Sequence, residues 1–264
     1  MLRALPLLLL VAGCSGGQGF VPDRIVSNNP CVDAALEQLA TPDQIGAVSR
    51  LSHNVAAGTA SVNWARQFPA IDTSVESVML TRPRLALLGN FGNTAPLRRA
   101  GIHYLSFGVP ASIEESVGQV RAIAKSIGRF EQGEAFVSRI DQSTRAAPVS
   151  ATKSAIIWVS GGFVPGKGTL QDELLARAGF QNASQRYGIK RWDVLPLEAL
   201  ILNPPDVIFM PSSSQGFELR SLALRYQVLA KLSPQPKLVA FPEKLLNCGV
   251  GSIIPAMKIL RAAA

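Results

Sequence analysis

A short motif occurs twice in this chain, and the stretch between the copies is helical in pattern. The first copy is Val75-Glu76-Ser77-Val78-Met79-Leu80-Thr81-Arg82-Pro83, and the second is Leu197-Glu198-Ala199-Leu200-Ile201-Leu202-Asn203-Pro204-Pro205. Glutamate, leucine and proline keep their places at one constant offset. Each copy runs from a helical pattern into an apolar strand, Leu85 to Leu88 and Val207 to Met210. Such a chain is constrained to two similar α/β lobes. Between the copies, Ser112 with Glu115 forms a capping box that satisfies the free amides of a helix start. Ile113, Val117, Val120, Ile123 and Ile127 then recur at steps of three and four, lining one helical face. Gly128 can end that helix, and Glu131 to Ala147 resumes it with Phe136, Val137 and Ile140 on one side. The expected organisation is an N-terminal lobe over 22–110, a helical linker over 111–147 and a C-terminal lobe over 148–264. The fold class is α/β, with mostly parallel central sheets in two similar lobes joined by one long α-helix.

The first residues are of a different kind. Met1 to Cys14 holds one arginine and an apolar run from Leu7 to Ala12, far short of the roughly 20 residues of a membrane span. It reads as an export signal over 1–13. Val11-Ala12-Gly13-Cys14 resembles the lipobox of bacterial lipoproteins, in which the cysteine takes lipid before cleavage, so Cys14 is the expected lipidation site and 14–21 a tether. The formal charge of +8 is spread over small clusters such as Arg98-Arg99 and Lys190-Arg191. No aromatic residues interleave with them to stack bases, so no nucleic-acid partner is expected.

Chemistry-bearing residues are scarce. Two histidines, His53 and His103, leave little for a metalloenzyme or a triad hydrolase, and neither Gly-x-Ser-x-Gly nor His-Glu-x-x-His occurs. Gly161-Gly162-Phe163-Val164-Pro165-Gly166-Lys167-Gly168 nearly spells a phosphate loop. It lacks the Ser or Thr after the lysine that would hold magnesium, and reads instead as a glycine-rich loop with Thr169 capping the helix Leu170 to Arg177. With Cys14 lipidated, Cys31 and Cys248 remain. In an oxidising compartment they can bond across a cleft, ligate a metal or pack as small apolar groups, and free thiols or packing is the leading reading.

Strands alternating with helices imply parallel pairing with right-handed crossovers. The loops after the strands then line a crevice at one end of each sheet. His53 lies in one such loop, where it can face a ligand or simply be solvated. Tyr187 and Trp192 sit in a polar loop that is the main aromatic surface expected of the second lobe.

Taken together, Arg24-Ile25-Val26-Ser27 with Pro30, the segment Glu76 to Leu88, Gly101 to Phe107, the linker, Gly168-Thr169 with Leu174, Ala178-Gly179 and Asn182, and Glu198 to Met210 give the chain its resemblance to a known family. It resembles the substrate-binding proteins of ABC importers for ferric siderophores, haem and vitamin B12. The resemblance implies that Glu76 and Glu198 dock onto arginines of a two-fold inner-membrane permease. It implies a ligand held between the lobes by residues at the positions of Asn29, His53, Trp64, Phe91, Phe163, Trp192 and Ser213, with Cys31 and Cys248 also in cleft-facing loops. Arg84 departs from the pattern, since aspartate usually follows that proline.

The function expected is capture of an iron chelate or corrinoid by a periplasmic, lipid-anchored monomer that hands it to the permease. No catalytic residue, resident metal or cofactor is expected, the iron chelate, haem or cobalt corrinoid being cargo. The alternatives are an exported two-lobed metal-cluster or chelate-handling enzyme, for which two cysteines are too few, and a structural envelope lipoprotein. Few charges in the cleft would suit a corrinoid, whereas Arg50, Lys167 or Arg191 facing inward would suit an anionic iron chelate.

Overall fold

The computed structural model describes residues 23–90, 92–145, 153–212 and 217–264. The export signal, the tether and Cys14 lie outside them, as do Phe91 and Ser213. The first lobe runs β1 (Ile25–Ser27), α1 (Pro30–Leu39), β2 (Ile45–Ser49), α2 (Val62–Ala65), β3 (Ala70–Ile71), α3 (Val75–Leu80), β4 (Leu85–Gly89), α4 (Ala95–Arg99) and β5 (Tyr104–Phe107). Its strands are all parallel, in the order β3-β2-β1-β4-β5. The chain therefore builds outward from β1 in one direction and then restarts on the other side of β1. Every residue of β1, β2 and β4 is buried, as a parallel sheet covered on both faces requires.

The linker comprises α5 (Ile113–Ser126) and α6 (Phe130–Thr144). The second lobe follows as β6 (Ser154–Ile157), β7 (Phe163–Pro165), α7 (Leu170–Arg177), β8 (Gln181–Asn182), β9 (Trp192–Val194), α8 (Leu197–Leu202), β10 (Val207–Pro211), α9 (Phe217–Leu229), β11 (Lys237–Phe241) and α10 (Ile253–Ala263). Its main sheet, β11-β10-β6-β8, is again parallel. Beside it, β7 and β9 pair antiparallel and place Pro165 opposite Trp192. The glycine-rich stretch leads into this ribbon through two glycines with left-handed backbones, Gly161 and Gly162, and Thr169 then caps α7 by accepting from the Asp172 amide.

The two-residue period of the strands divides the cores. Ile25, Leu85, Leu87, Ala155, Ile157, Val207 and Phe209 point into one continuous apolar cluster that also takes in α1, α5, α6 and α10. Their neighbours point the other way, Val26, Ala86 and Leu88 into a cluster of the first lobe alone, and Ile156, Ile208 and Met210 into one of the second. Each sheet thus has a private face and a face shared through the linker.

One expectation changes here. The connection is not one long helix but a pair turned back on itself. Gly128 adopts φ +71°, a conformation costly for any side chain, and the Arg129 amide reaches back to the Ala124 carbonyl at 2.8 Å, a glycine-terminated helix end. An Arg121–Glu134 ion pair at 2.7 Å then spans α5 and α6. The start of α5 is held by the second lobe, where Glu173 accepts from the Ile113 amide at 2.9 Å, and its end by the first, where Gln44 donates to the Ile127 carbonyl at 2.9 Å. The Ser112 cap is present, although Glu115 accepts from the Ala111 amide rather than from Ser112 itself.

The lobes are also joined covalently. Cys31 and Cys248 form a disulfide with their Cα atoms 5.1 Å apart, in place of the free or merely packed thiols that lead the sequence reading. The segment carrying Cys248 is wedged against the first lobe, where a Cβ on Gly251 would stand 2.5 Å from the Ala34 methyl, and Lys244 donates to the Val55 carbonyl at 3.2 Å. The bond closes a loop of 217 residues, and restricting so long a loop in the unfolded chain is worth about 5 kcal/mol. Cys31→Ser with Cys248→Ser is expected to lower the thermal midpoint by roughly 10 °C, while the scattering curve of the folded state stays nearly unchanged because the shared core remains. Scanning calorimetry and small-angle scattering on the purified mature protein check both.

Asp33, on α1, is wholly buried. Its Oδ2 accepts from the Ser49 amide at 2.9 Å and the Ser52 hydroxyl at 2.6 Å, while Oδ1 has no partner among the described residues. Burial raises its pKa from 3.8 to about 7, partly opposed by these hydrogen bonds. Between those values the folded protein keeps a proton that the unfolded chain has released, so this group makes stability fall as pH rises from 3.8 to about 7, and level off above. Asp33→Asn is expected to gain stability relative to the wild type across that window, read as urea midpoints at stepped pH.

Candidate functional site

A cavity of about 590 Å³ opens where the strand ends of the first lobe face the second. All five first-lobe strands supply its wall. Asn28 to Cys31 follow β1, Leu51 follows β2, Thr73 follows β3, Gly89 ends β4, and Phe107 to Val109 end and follow β5. The position is dictated by topology, because β1 and β4 are the neighbours at which the chain reverses its direction of building, and loops diverge there. Asn28 holds the divergence open. Its Oδ1 accepts from the Gly89 amide at 3.0 Å and its Nδ2 donates to the Thr73 carbonyl at 2.7 Å, tying three strand-end loops together. Asn29 caps α1 by accepting from the Cys31 amide at 2.9 Å.

The second lobe contributes Trp192, Leu246 and Asn247. Trp192 is held at the end of the β7–β9 ribbon and is 44% exposed, so its ring presents an aromatic face to the cavity. The disulfide borders the cavity, with Cys31 in the lining and Cys248 buried.

The described lining contains no ionisable side chain, since Cys31 is bonded. It also contains no histidine, tyrosine or methionine. Arg50 points elsewhere and pairs with Asp72 at 2.6 Å on the surface, and Lys167 and Arg191 are exposed. Among the described residues there is no group of three or more His, Cys, Asp or Glu that could hold a metal ion.

Of the residues carried over by resemblance, Asn29, Cys31 and Trp192 meet in this cavity. His53, Trp64, Phe163 and Cys248 are not part of its lining. His53 lies in a one-turn helix after β2, with Nε2 buried. Trp64 packs edge-on against Phe68 at 5.1 Å, as part of the core margin. Phe163 lies on β7 opposite Val194, at the other end of the ribbon from Trp192. The sequence reading missed Asn28 and the β5 end. The signal for Asn28 was an amide side chain placed directly after the short strand Ile25-Val26-Ser27, at the first position of its strand-end loop.

A neutral cleft walled by strand-end loops of two lobes defines a solute-binding protein. The model of the periplasmic binding protein family matches residues 25–230, and the chain belongs to that family. It is a binding protein of the periplasmic class and not an enzyme. A search of curated proteins found no match. Among solved structures, the fold is similar to the periplasmic heme-binding protein RhuT from Roseiflexus sp. RS-1 in apo form, with 19% identity, TM-score 0.70 and coverage of 92% of this chain and 99% of that one. It is similar to the periplasmic heme-binding protein HutB of Vibrio cholerae, with 18% identity, TM-score 0.70 and coverage of 91% and 98%. FhuD2 from Staphylococcus aureus with bound ferrioxamine B matches with 14% identity, TM-score 0.63 and coverage of 91% and 97%.

Replacing Trp192 by alanine is expected to weaken ligand binding about tenfold, the value of one aromatic contact surface. Stability should change little because the ring is nearly half exposed. Titration calorimetry and thermal melts on the same variant separate the two effects.

Proposed function

We propose that this chain is the substrate-binding lipoprotein of an ABC importer, and that its cargo is a preformed metal chelate of low net charge whose metal is already fully coordinated, a corrinoid being the best fit. One observation carries the choice of cargo, namely the lining without ionisable or metal-ligating side chains. Haem is usually held through a histidine, cysteine, methionine or tyrosine on the iron, and among the described residues this cleft offers none of them unbonded. A strongly anionic iron chelate would need cations, and Arg50, Lys167 and Arg191 stand outside the lining. A saturated chelate needs neither. It can be held by an aromatic face such as Trp192, by apolar contact and by amides such as Asn29 and Asn247. FhuD2, similar in fold, holds ferrioxamine B, so a neutral hydroxamate chelate of iron is the second reading.

Delivery completes the proposal. Cys14 would carry the lipid that keeps the protein at the membrane, and Glu76 and Glu198 would meet basic side chains of a two-fold permease. Both glutamates are exposed on the first turn of their helices, α3 and α8. Both adjoin the cleft in sequence, as Thr73 and Trp192 line it just upstream.

The test titrates the purified mature protein with a cobalamin, ferrioxamine B, hemin and a ferric catecholate. Saturable binding of the cobalamin, with the other three at least tenfold weaker, is expected. Hemin bound with the absorption signature of an axial protein ligand, or preference for the catecholate, would overturn the choice of cargo.

A further inference from the structure

The duplicated segment carries more than its glutamates. Leu80 and Leu202 occupy equivalent places in the two copies, each the last residue of its helix. They are also the two most exposed large apolar side chains among the described residues, at 79% and 85%. A single exposed leucine is ordinary on a protein surface and needs no explanation. Two at matching positions of two lobes, each more exposed than any other large apolar residue described, are a pattern.

The helices fix how these residues sit. In α3, Glu76 and Leu80 are four residues apart and so share one face, and in α8 Glu198 and Leu202 do the same. The opposite faces are equivalent too, since Val78 and Leu200 occupy matching positions and are both fully buried, each in the private core of its own lobe. Neither leucine joins a core cluster, so neither contributes to holding its lobe together. Neither glutamate makes a hydrogen bond or ion pair among the described residues, on a chain with 26 lysines and arginines against 18 acidic residues. Each lobe thus presents an uncompensated carboxylate and, one helical turn on, a bare isobutyl group.

We infer that Leu80 and Leu202 are apolar anchors which, together with Glu76 and Glu198, form a twice-repeated docking knob for a two-fold membrane permease. This rests on the importer reading above and adds the chemistry of the socket. Each half of the partner must offer a basic side chain beside an apolar pocket, one turn of helix away. The carboxylates fit a basic partner, and the repetition fits a partner that presents the same site twice. In such an arrangement the charges orient the approach and the leucines supply contact that salt does not screen.

The experiment measures binding of the purified chain beginning at Ser15, without the cysteine proposed to carry lipid, to inner-membrane vesicles of the source cells, over a range of salt concentrations. Leu80→Ser with Leu202→Ser, Glu76→Lys with Glu198→Lys, and Leu224→Ser, an exposed leucine of α9, are compared with the wild type. The paired leucine variant is expected to bind at least tenfold more weakly at every salt concentration, as burial of one leucine is worth roughly a factor of ten or more. It should keep the thermal midpoint and cleft affinity of the wild type, and Leu224→Ser should bind as the wild type does. Unchanged binding of the paired leucine variant, with binding lost in the paired glutamate variant, overturns the anchor role and leaves permease docking standing. If neither pair alters binding, or if the wild type does not bind the vesicles, both ideas fail.

Discussion

The shared apolar core is the interaction on which the rest of this structure depends. Because β-strand side chains alternate, each sheet must bury two faces, and only one of them is covered wholly within its own lobe. The other face of each sheet, through Ile25, Leu85 and Leu87 on one side and Ala155, Val207 and Phe209 on the other, is covered from the linker and the helices packed on it. Neither lobe can therefore swing away without exposing apolar surface, and the angle between them is set by packing rather than by the stiffness of a connector. That the two ends of α5 are held by hydrogen bonds from different lobes follows the same logic. The cleft is a consequence: where the shared core stops, the strand ends on either side face each other.

What the cleft can hold then depends on the loops at those ends. The first-lobe loops are short and well fastened, with Asn28 satisfying both a donor and an acceptor of its neighbours. Its amide is thus used to shape the wall, while the side chains left to meet a ligand are mostly apolar or neutral. A site of this sort discriminates by shape and by the displacement of water from apolar surface. It gains little from charge, and among the described residues the protein's basic balance accordingly plays no part in its lining.

The sequence made the lobes and their order readable because periodicity and capping are local. Thr169 caps the helix it was expected to cap, and the paired segments fall on equivalent helices and strands. The turn of the linker at Gly128 was visible as a stop signal. Its reversal was not, because a glycine-ended helix can be followed by another in any direction, and only packing, here the closeness of α5 and α6, decides. The β7–β9 ribbon escaped notice because strands of three residues carry almost no period. Trp64 and Trp192 look alike in sequence, both aromatic and both near strand-end loops, yet one finds Phe68 to pack against and the other is held out by a ribbon. The disulfide could be named only as one possibility, since pairing across 217 residues is a property of the finished fold.

That separation bears on how the protein is made. The chain emerges from its N-terminus, so Cys31 is present from early on and Cys248 only when almost everything else has appeared. Throughout that interval the bond cannot form, and the first-lobe segment carries an unpaired thiol at the edge of its future cleft. The chain has three cysteines, and the remaining one, Cys14, stands much nearer to Cys31 in sequence than the proper partner does. If Cys14 carries the lipid proposed above, its sulfur is a thioether and no longer competes, which leaves Cys31 with one thiol to find. The proposed lipid attachment would then serve oxidative fidelity as well as location.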